Sequence, residues 1–180
     1  MKCHFFRTIC IATLMLMVAA VASAQGHWGC TNKSLEGRWG YTETGTVIPP
    51  TALGGATLAV AVGLYTFDGH GNVSAVQVSS AGGKVSDDTK LGFYTVDRDC
   101  MGTLTVDITS TSASVPPTVT VRHSVWEFVL VDDATEIRAV MRSTEIVSGL
   151  PPSVPVPVSL SPIMTMTGTR VSPDRDDKRH

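Results

Sequence analysis

Residues 25–171 read as one all-β domain, an antiparallel meander of about eight strands that hides its edges by closing into an up-and-down barrel. Three observations predict this. Val and Thr are abundant and aromatics recur through the chain. Gly, Asn, Asp and Pro punctuation returns every 8–14 residues or so, roughly the spacing of short strands joined by hairpins. No stretch of about ten residues carries a helical apolar period. A two-sheet sandwich is the alternative closure.

In chain order, Met1–Arg7 carries Lys2 and Arg7 and no acid, Thr8–Ala22 is almost wholly apolar, and Ala22-Ser23-Ala24 ends it with small residues. That is the layout of a secretory signal peptide, residues 1–24, cleaved after Ala24. Its apolar run of about 14–15 residues falls short of the roughly 20 that a spanning helix needs. The expectation is a secreted or periplasmic domain, free of the membrane after cleavage.

Leu35–Val47 then alternates, with Leu35, Trp39, Tyr41 and Val47 on one face. Thr57–Phe67 is a nearly continuous apolar run, the pattern of a strand covered on both sides. Asp68–Asn72 reverses the chain through two glycines, and Val73–Val78 returns. Ser79–Gly83 is a turn, Lys90–Val96 a strand, Asp97–Gly102 a turn holding Cys100, and Thr103–Thr109 a strand before the Pro-ended loop Ser110–Pro117. Thr118–Val131 is the longest strand, and Asp132–Thr135 turns it into Glu136–Arg142. Gly149–Pro162 holds five prolines. Proline has no N–H to give a ladder, so this stretch reads as an extended insert or edge segment. Ile163–Val171 is a last strand, and residues 172–180 form a charged, disordered tail.

The whole chain has a formal net charge of −2, and loss of Lys2 and Arg7 makes the mature domain more acidic. With no basic stripe, nucleic acid is excluded as a partner, and so is an electrostatic hold on anionic lipid. Cys3 and Cys10 leave with the signal, so Cys30 and Cys100 remain. In an oxidising compartment that pair reads as a disulfide, closing a loop of about 70 residues and worth roughly 4 kcal/mol in the chain-entropy account. Two lone cysteines cannot complete a zinc shell, no H-x-H, H-E-x-x-H or acidic calcium loop is present, and no metal is expected. Gly69-His70-Gly71 opens no helix and is not a dinucleotide fingerprint, so no cofactor is expected either.

Several segments together resemble a family. These are Cys30-Thr31-Asn32-Lys33-Ser34-Leu35-Glu36-Gly37-Arg38-Trp39-Gly40-Tyr41, the turn Phe67-Asp68-Gly69-His70-Gly71-Asn72-Val73, the segment Gly92–Thr103 around Asp99-Cys100, Phe128–Asp133 with Glu136-Ile137, and the closing Thr167-Gly168-Thr169-Arg170. They are similar to bacterial secreted proteins of the allene oxide cyclase barrel-like type, over roughly Cys30–Arg170. The resemblance implies a calycin-like barrel. Its motifs are turn and strand residues, so it speaks to fold more than to activity. The Pro-rich stretch is a departure from the pattern, placed where it would alter a barrel mouth.

Thr118–Val131 carries the most suggestive candidates. One parity holds His123 and Glu127 among valines, about 13 Å apart along the strand. The other holds Arg122, Ser124, Trp126 and Phe128. If the first parity faces inward, Glu127 is a carboxylate in an apolar cavity, with its pKa raised and fit for acid–base work beside His123. If the second does, both are in solvent. Glu43 shares parity with Trp39 and Tyr41 and is a further candidate for a polar group inside the barrel. Asp68 and His70 lie in one tight turn, and no nucleophile elbow accompanies them.

Three functions fit these features. A binding barrel would hold a small apolar ligand against Trp39, Tyr41, Trp126 and Phe128. A cofactor-free cyclase or isomerase would use Glu43 or Glu127. A filled barrel would act through its surface and its Pro-rich insert. With eight strands, the interior either just fills with side chains or holds one small ligand. Oligomeric state is not legible.

Overall fold

The computed structural model describes residues 29–112 and 117–171. The expected signal peptide, residues 1–24, and the expected tail, residues 172–180, lie outside the described residues. Eight antiparallel strands form a closed barrel in simple sequence order: β1 (Gly37–Ile48), β2 (Thr57–Phe67), β3 (Asn72–Ala81), β4 (Lys84–Val96), β5 (Met101–Ser112), β6 (Val119–Val131), β7 (Glu136–Ser148) and β8 (Val158–Arg170). β8 pairs back onto β1, from Arg170 opposite Trp39 to Ser161 opposite Ile48. Closure leaves no unpaired edge, which disposes of the sandwich.

β3, β4, β5, β7 and β8 are longer than the sequence suggests, while β1, β2 and β6 keep close to the expected bounds. β4 begins at Lys84 and β7 runs to Ser148. β8 starts at Val158, so the last residues of the expected insert belong to a barrel strand, Val158–Leu160 pairing with β7 and Ser161 and Pro162 with β1. Pro162 is accommodated because it pairs with Val47 on β1, while the ladder between β7 and β8 is interrupted from Val140/Thr165 to Thr144/Leu160. The rest of the insert is not extended either: Val154 N–H donates to Pro151 C=O at 2.9 Å and folds it into a turn.

β2 also corrects an expectation. It is not covered on both sides: Leu58, Val60 and Val62 point outward and are exposed, while Ala59, Ala61, Gly63, Tyr65 and Phe67 point inward. Its inward residues grow from small to large along the strand, so the interior is roomy at one end and full at the other.

The full end is sealed. A 3₁₀ turn, Asn32–Leu35, inserts Leu35 with no exposure at all. Trp39 Nε1–H donates to Leu35 C=O at 2.8 Å, and the Arg170 guanidinium lies 4.8 Å over the Trp39 ring while donating to Glu36 and Ser34 carbonyls. Asn32 Oδ1 accepts Val96 N–H, and Tyr94 O–H donates to Asn32 C=O. The Cys30–Cys100 disulfide ties this plug to the β4–β5 turn across a Cα–Cα distance of 4.9 Å. Behind it Trp39, Tyr65, Phe67, Tyr94, Trp126 and Phe128 make the core, with Phe67 meeting Trp39 and Tyr94 edge to face.

Candidate functional site

The roomy end holds a cavity of about 210 Å³ that opens between the β1–β2, β3–β4 and β7–β8 connections. Its apolar wall comes from Val47, Ala59, Ile108, Met141 and Met164, and its polar lining includes Glu43, Gln77, Arg122 and Thr144. The small inward residues Ala59 and Ala61 of β2 and Ser79 of β3 create the space. Larger side chains there would fill it.

Between this cavity and the aromatic core lies a layer of polar groups pointing into the barrel. Glu43, Gln77, Asp88 and Lys90 are all buried, Lys90 with 1 % of its surface exposed. Lys90 Nζ donates to Glu43 Oε1 at 2.5 Å and to the Tyr65 hydroxyl at 3.1 Å, and it sits 4.9 Å over the Tyr41 ring. Tyr41 O–H donates to Gln77 Oε1 at 2.7 Å, and Gln77 Nε2–H donates to Asp88 Oδ2 at 2.6 Å. The Arg122 guanidinium lies 3.8 Å from Asp88 Oδ2 and donates to Ser110 Oγ. Two carboxylates thus face two cations. Such a layer holds only while every charge has its partner, because an uncompensated charge in the interior is costly.

Local sequence explains the convergence. Gly82-Gly83 closes a two-residue hairpin, so residues equidistant from it pair: Gln77 opposite Asp88 and Ala75 opposite Lys90. Gly63 has no side chain because a Cβ there would lie 2.8 Å from the Tyr41 hydroxyl and 2.5 Å from Val76 C=O. Its absence makes room for the Tyr41–Gln77 bond.

Burial pushes the Tyr41 and Tyr65 phenols well above their ordinary range, and the nearby Glu43 charge adds to this. Both stay neutral, Tyr41 donating to Gln77 and Tyr65 accepting from Lys90. Burial pulls the Lys90 ammonium down, opposed by the charge and hydrogen bond of Glu43. Asp88 Oδ1 is buried with no hydrogen-bond partner, so acceptor capacity is left over in this layer.

Of the residues singled out from sequence, Glu43 is in the polar layer and lines the cavity. Tyr41 is in the layer beneath it, while Trp39, Trp126 and Phe128 are buried in the closed half and none of these four lines the cavity. On β6 the Arg122/Ser124/Trp126/Phe128 parity faces inward. His123 and Glu127 therefore face outward, with 45 % and 41 % of their side chains exposed. Burying Trp126, Phe128 and Leu130 removes more apolar surface from water than burying the valines would, and it spares Glu127 and His123 desolvation. His123 Nδ1 is 2.8 Å from Asp107 Oδ1, and Glu127 pairs with Arg142.

Glu127 lies instead in a wide outer groove of about 440 Å³ that also touches Met101, Val129, Arg138, Val140 and Thr165. That groove is larger, but its charges form solvent-exposed surface pairs, which are worth little. Convergent buried polar groups mark the mouth cavity as the better candidate. Lys90, Gln77 and Asp88 escaped the sequence reading, although the symmetry of the Gly82-Gly83 hairpin carried the signal. Among the described residues no group of three or more His, Cys, Asp or Glu is placed to hold a metal.

Compared with known protein families, curated proteins and solved structures, the chain matches none.

Proposed function

We propose that this barrel binds a small amphipathic molecule through its open mouth. The observation that carries the reading is the pairing of an apolar-walled cavity with a charged, hydrogen-bonded floor in one otherwise filled barrel. The volume is below the roughly 300–1,000 Å³ of typical ligand pockets, so the ligand is small or leaves part of itself outside. Its apolar part meets Met141, Met164, Ile108 and Val47, and its polar group meets Arg122 and Glu43. This refines the expected apolar ligand to one with a polar end. Native mass spectrometry of protein exported to a periplasm and purified without detergent tests it. A bound mass that is lost on denaturation, and lost in Arg122→Met, is the expected result. An apo mass together with no uptake of small amphiphiles added to the protein removes the proposal.

A cofactor-free cyclase or isomerase is the second reading, favoured by the one carboxylate that is both buried and on the cavity wall. Held by Lys90, Glu43 is a fixed acceptor suited to withdrawing a proton from a bound substrate. It fits the resemblance to allene oxide cyclase-like barrels. Glu43→Gln should abolish turnover with the fold intact, whereas Glu127→Gln should leave it unchanged. Equal turnover in the wild type and Glu43→Gln rules the reading out.

A further inference from the structure

The polar floor of the mouth cavity is balanced in charge, and the hydrogen-bonding atoms it leaves unused are of both kinds. Its anions are Glu43 and Asp88, and its cations are Lys90 and Arg122. Lys84 and Asp87, near the rim on β4, are exposed, so water and salt screen them from the floor. Most polar lining groups are already spent: Gln77 on Tyr41 and Asp88, Thr144 on Ser124, and Ser79 on Ser86. Two charged lining groups keep atoms open to the cavity. Arg122 donates to Ser110 Oγ through Nη2, and its Nε and Nη1 reach no acceptor among the described residues. Lys90 reaches Glu43 through Oε1, and Oε2 receives no bond from a described residue. Asp88 Oδ1, in the same layer, is a further acceptor without a partner. The charged groups of the floor therefore ask a ligand for a donor as well as an acceptor.

We infer that the polar end of the ligand is an uncharged hydroxyl, so that the barrel takes an apolar alcohol and discriminates against the matching acid and amine; this rests on the binding reading above. A full charge brought to the floor finds its opposite already paired. A carboxylate at Arg122 stands beside Asp88, whose Oδ2 is 3.8 Å from that guanidinium, and it has no proton to give Glu43. An ammonium at Glu43 shares the carboxylate with Lys90 Nζ, 2.5 Å from Oε1, and it has nothing to accept from Arg122. A zwitterion meets both like charges at once. Either simple ion also leaves the floor with a net charge, and an uncompensated charge among buried groups is costly. A hydroxyl donates to a carboxylate and accepts from a guanidinium with no change in charge. The apolar part of the alcohol lies on Met141, Met164 and Ile108.

The test is calorimetric titration of the exported protein with hexanol, hexyl methyl ether, hexanoate and hexylamine at about pH 7, where the last two are ions. The shared hexyl chain holds the apolar contact constant. Hexanol should bind at least about tenfold tighter than either ion, corresponding to about 1.4 kcal/mol. It should also bind tighter than the ether, which accepts a hydrogen bond but cannot donate one. Arg122→Met leaves the floor one positive charge short and should favour hexylammonium over hexanoate. Glu43→Gln leaves it one negative charge short and should favour hexanoate over hexylammonium. Side chains that only packed the cavity would weaken all four probes alike. Circular dichroism and unfolding midpoints identify a variant that fails to fold, and the wild-type ranking decides the inference without the variants. Hexanoate, hexylammonium or the ether binding as tightly as hexanol overturns the inference and leaves the binding reading standing. Failure of all four to bind removes the binding reading, and the inference with it.

Discussion

The sealed half and the open half of this barrel use the same eight strands for opposite ends. In the sealed half, inward positions carry Trp39, Phe67, Tyr94, Trp126 and Phe128, packed against a disulfide-anchored plug. In the open half the same strands carry Val47, Ala59, Ser79 and Arg122 around a cavity. The Tyr41–Gln77–Asp88 and Tyr65–Lys90–Glu43 groups divide them. The difference teaches that stability is concentrated where nothing can bind, which frees the mouth to be wet, charged on its floor and small in its side chains. A rigid scaffold beneath a permissive site is how a binding constellation is kept in place.

If so, damage to the sealed half should be felt globally. Trp39→Ala is expected to cost the most, about 5 kcal/mol, at the top of the range for aromatic truncation. It removes a fully buried ring, the Leu35 hydrogen bond and the seat of the Arg170 guanidinium. Urea unfolding measures it. Replacing Cys30 and Cys100 by serine should cost about 4 kcal/mol through the entropy the unfolded chain regains once its loop is no longer closed. A loss much smaller than that would mean the plug holds without its bond, and that the aromatics alone stabilise this end.

The dividing layer should respond differently. Glu43→Ala leaves Lys90 charged without its partner in the interior, for which about 3 kcal/mol is expected. Adding Lys90→Met should return most of it, since removing both charges removes the desolvation cost. A double variant no more stable than Glu43→Ala would show that the hydroxyl contact of Lys90 with Tyr65, not its charge, matters. At the cavity, Arg122→Met leaves the buried Asp88 carboxylate with Gln77 alone, so a loss of about 2 kcal/mol is expected, less than for Glu43→Ala because Arg122 keeps 26 % exposure and stands 3.8 Å from its partner. Its loss should also show in ligand binding.

How far the sequence foretold these halves depends on which signal each used. The sealed half was the more legible: Trp39 and Tyr41 mark one face of β1, its turns carry Asp and Gly, and its two cysteines read as a pair, although valines on the face opposite Trp126 and Phe128 left the inward face of β6 open. The open half was less so. In β4 the apolar residues Val85, Leu91 and Phe93 share the outward parity, while Asp88 and Lys90 face in, so counting hydrophobics gives the wrong face. Pairing decided it: Asp88 meets Gln77 and Lys90 sits opposite Ala75 across a hairpin whose register Gly82-Gly83 fixes. A charge buried against partners from other strands leaves no period in its own strand. Glu43 was legible because Trp39 and Tyr41 mark its face, and Glu127 and His123 misled because their face is flanked by valines that remain on the outer wall.

The smallest expected effect is also on the sealed end, at a single turn. Asp68 is held down to about 2 from the usual 3.8, first by the side chain of Asn72 and then by backbone N–H groups of Asn72, His70 and Gly71. Its Oδ1 accepts from His70 N–H at 2.7 Å and Asn72 N–H at 2.9 Å. A carboxyl whose folded pKa lies below its unfolded one stabilises the fold when both states are ionised, above about pH 4, and this contribution disappears as the pH falls toward 2. Asp68→Asn keeps the shape but not the charge. Its thermal midpoint should therefore lie slightly below that of the wild type at pH 7 and coincide with it near pH 2. Asp68 itself is solvent-exposed, so the gap should be small beside those of Trp39 or the disulfide. A gap that persists unchanged at pH 2 would mean that the hydrogen-bond geometry of the turn, not the charge of Asp68, closes this corner of the sealed end.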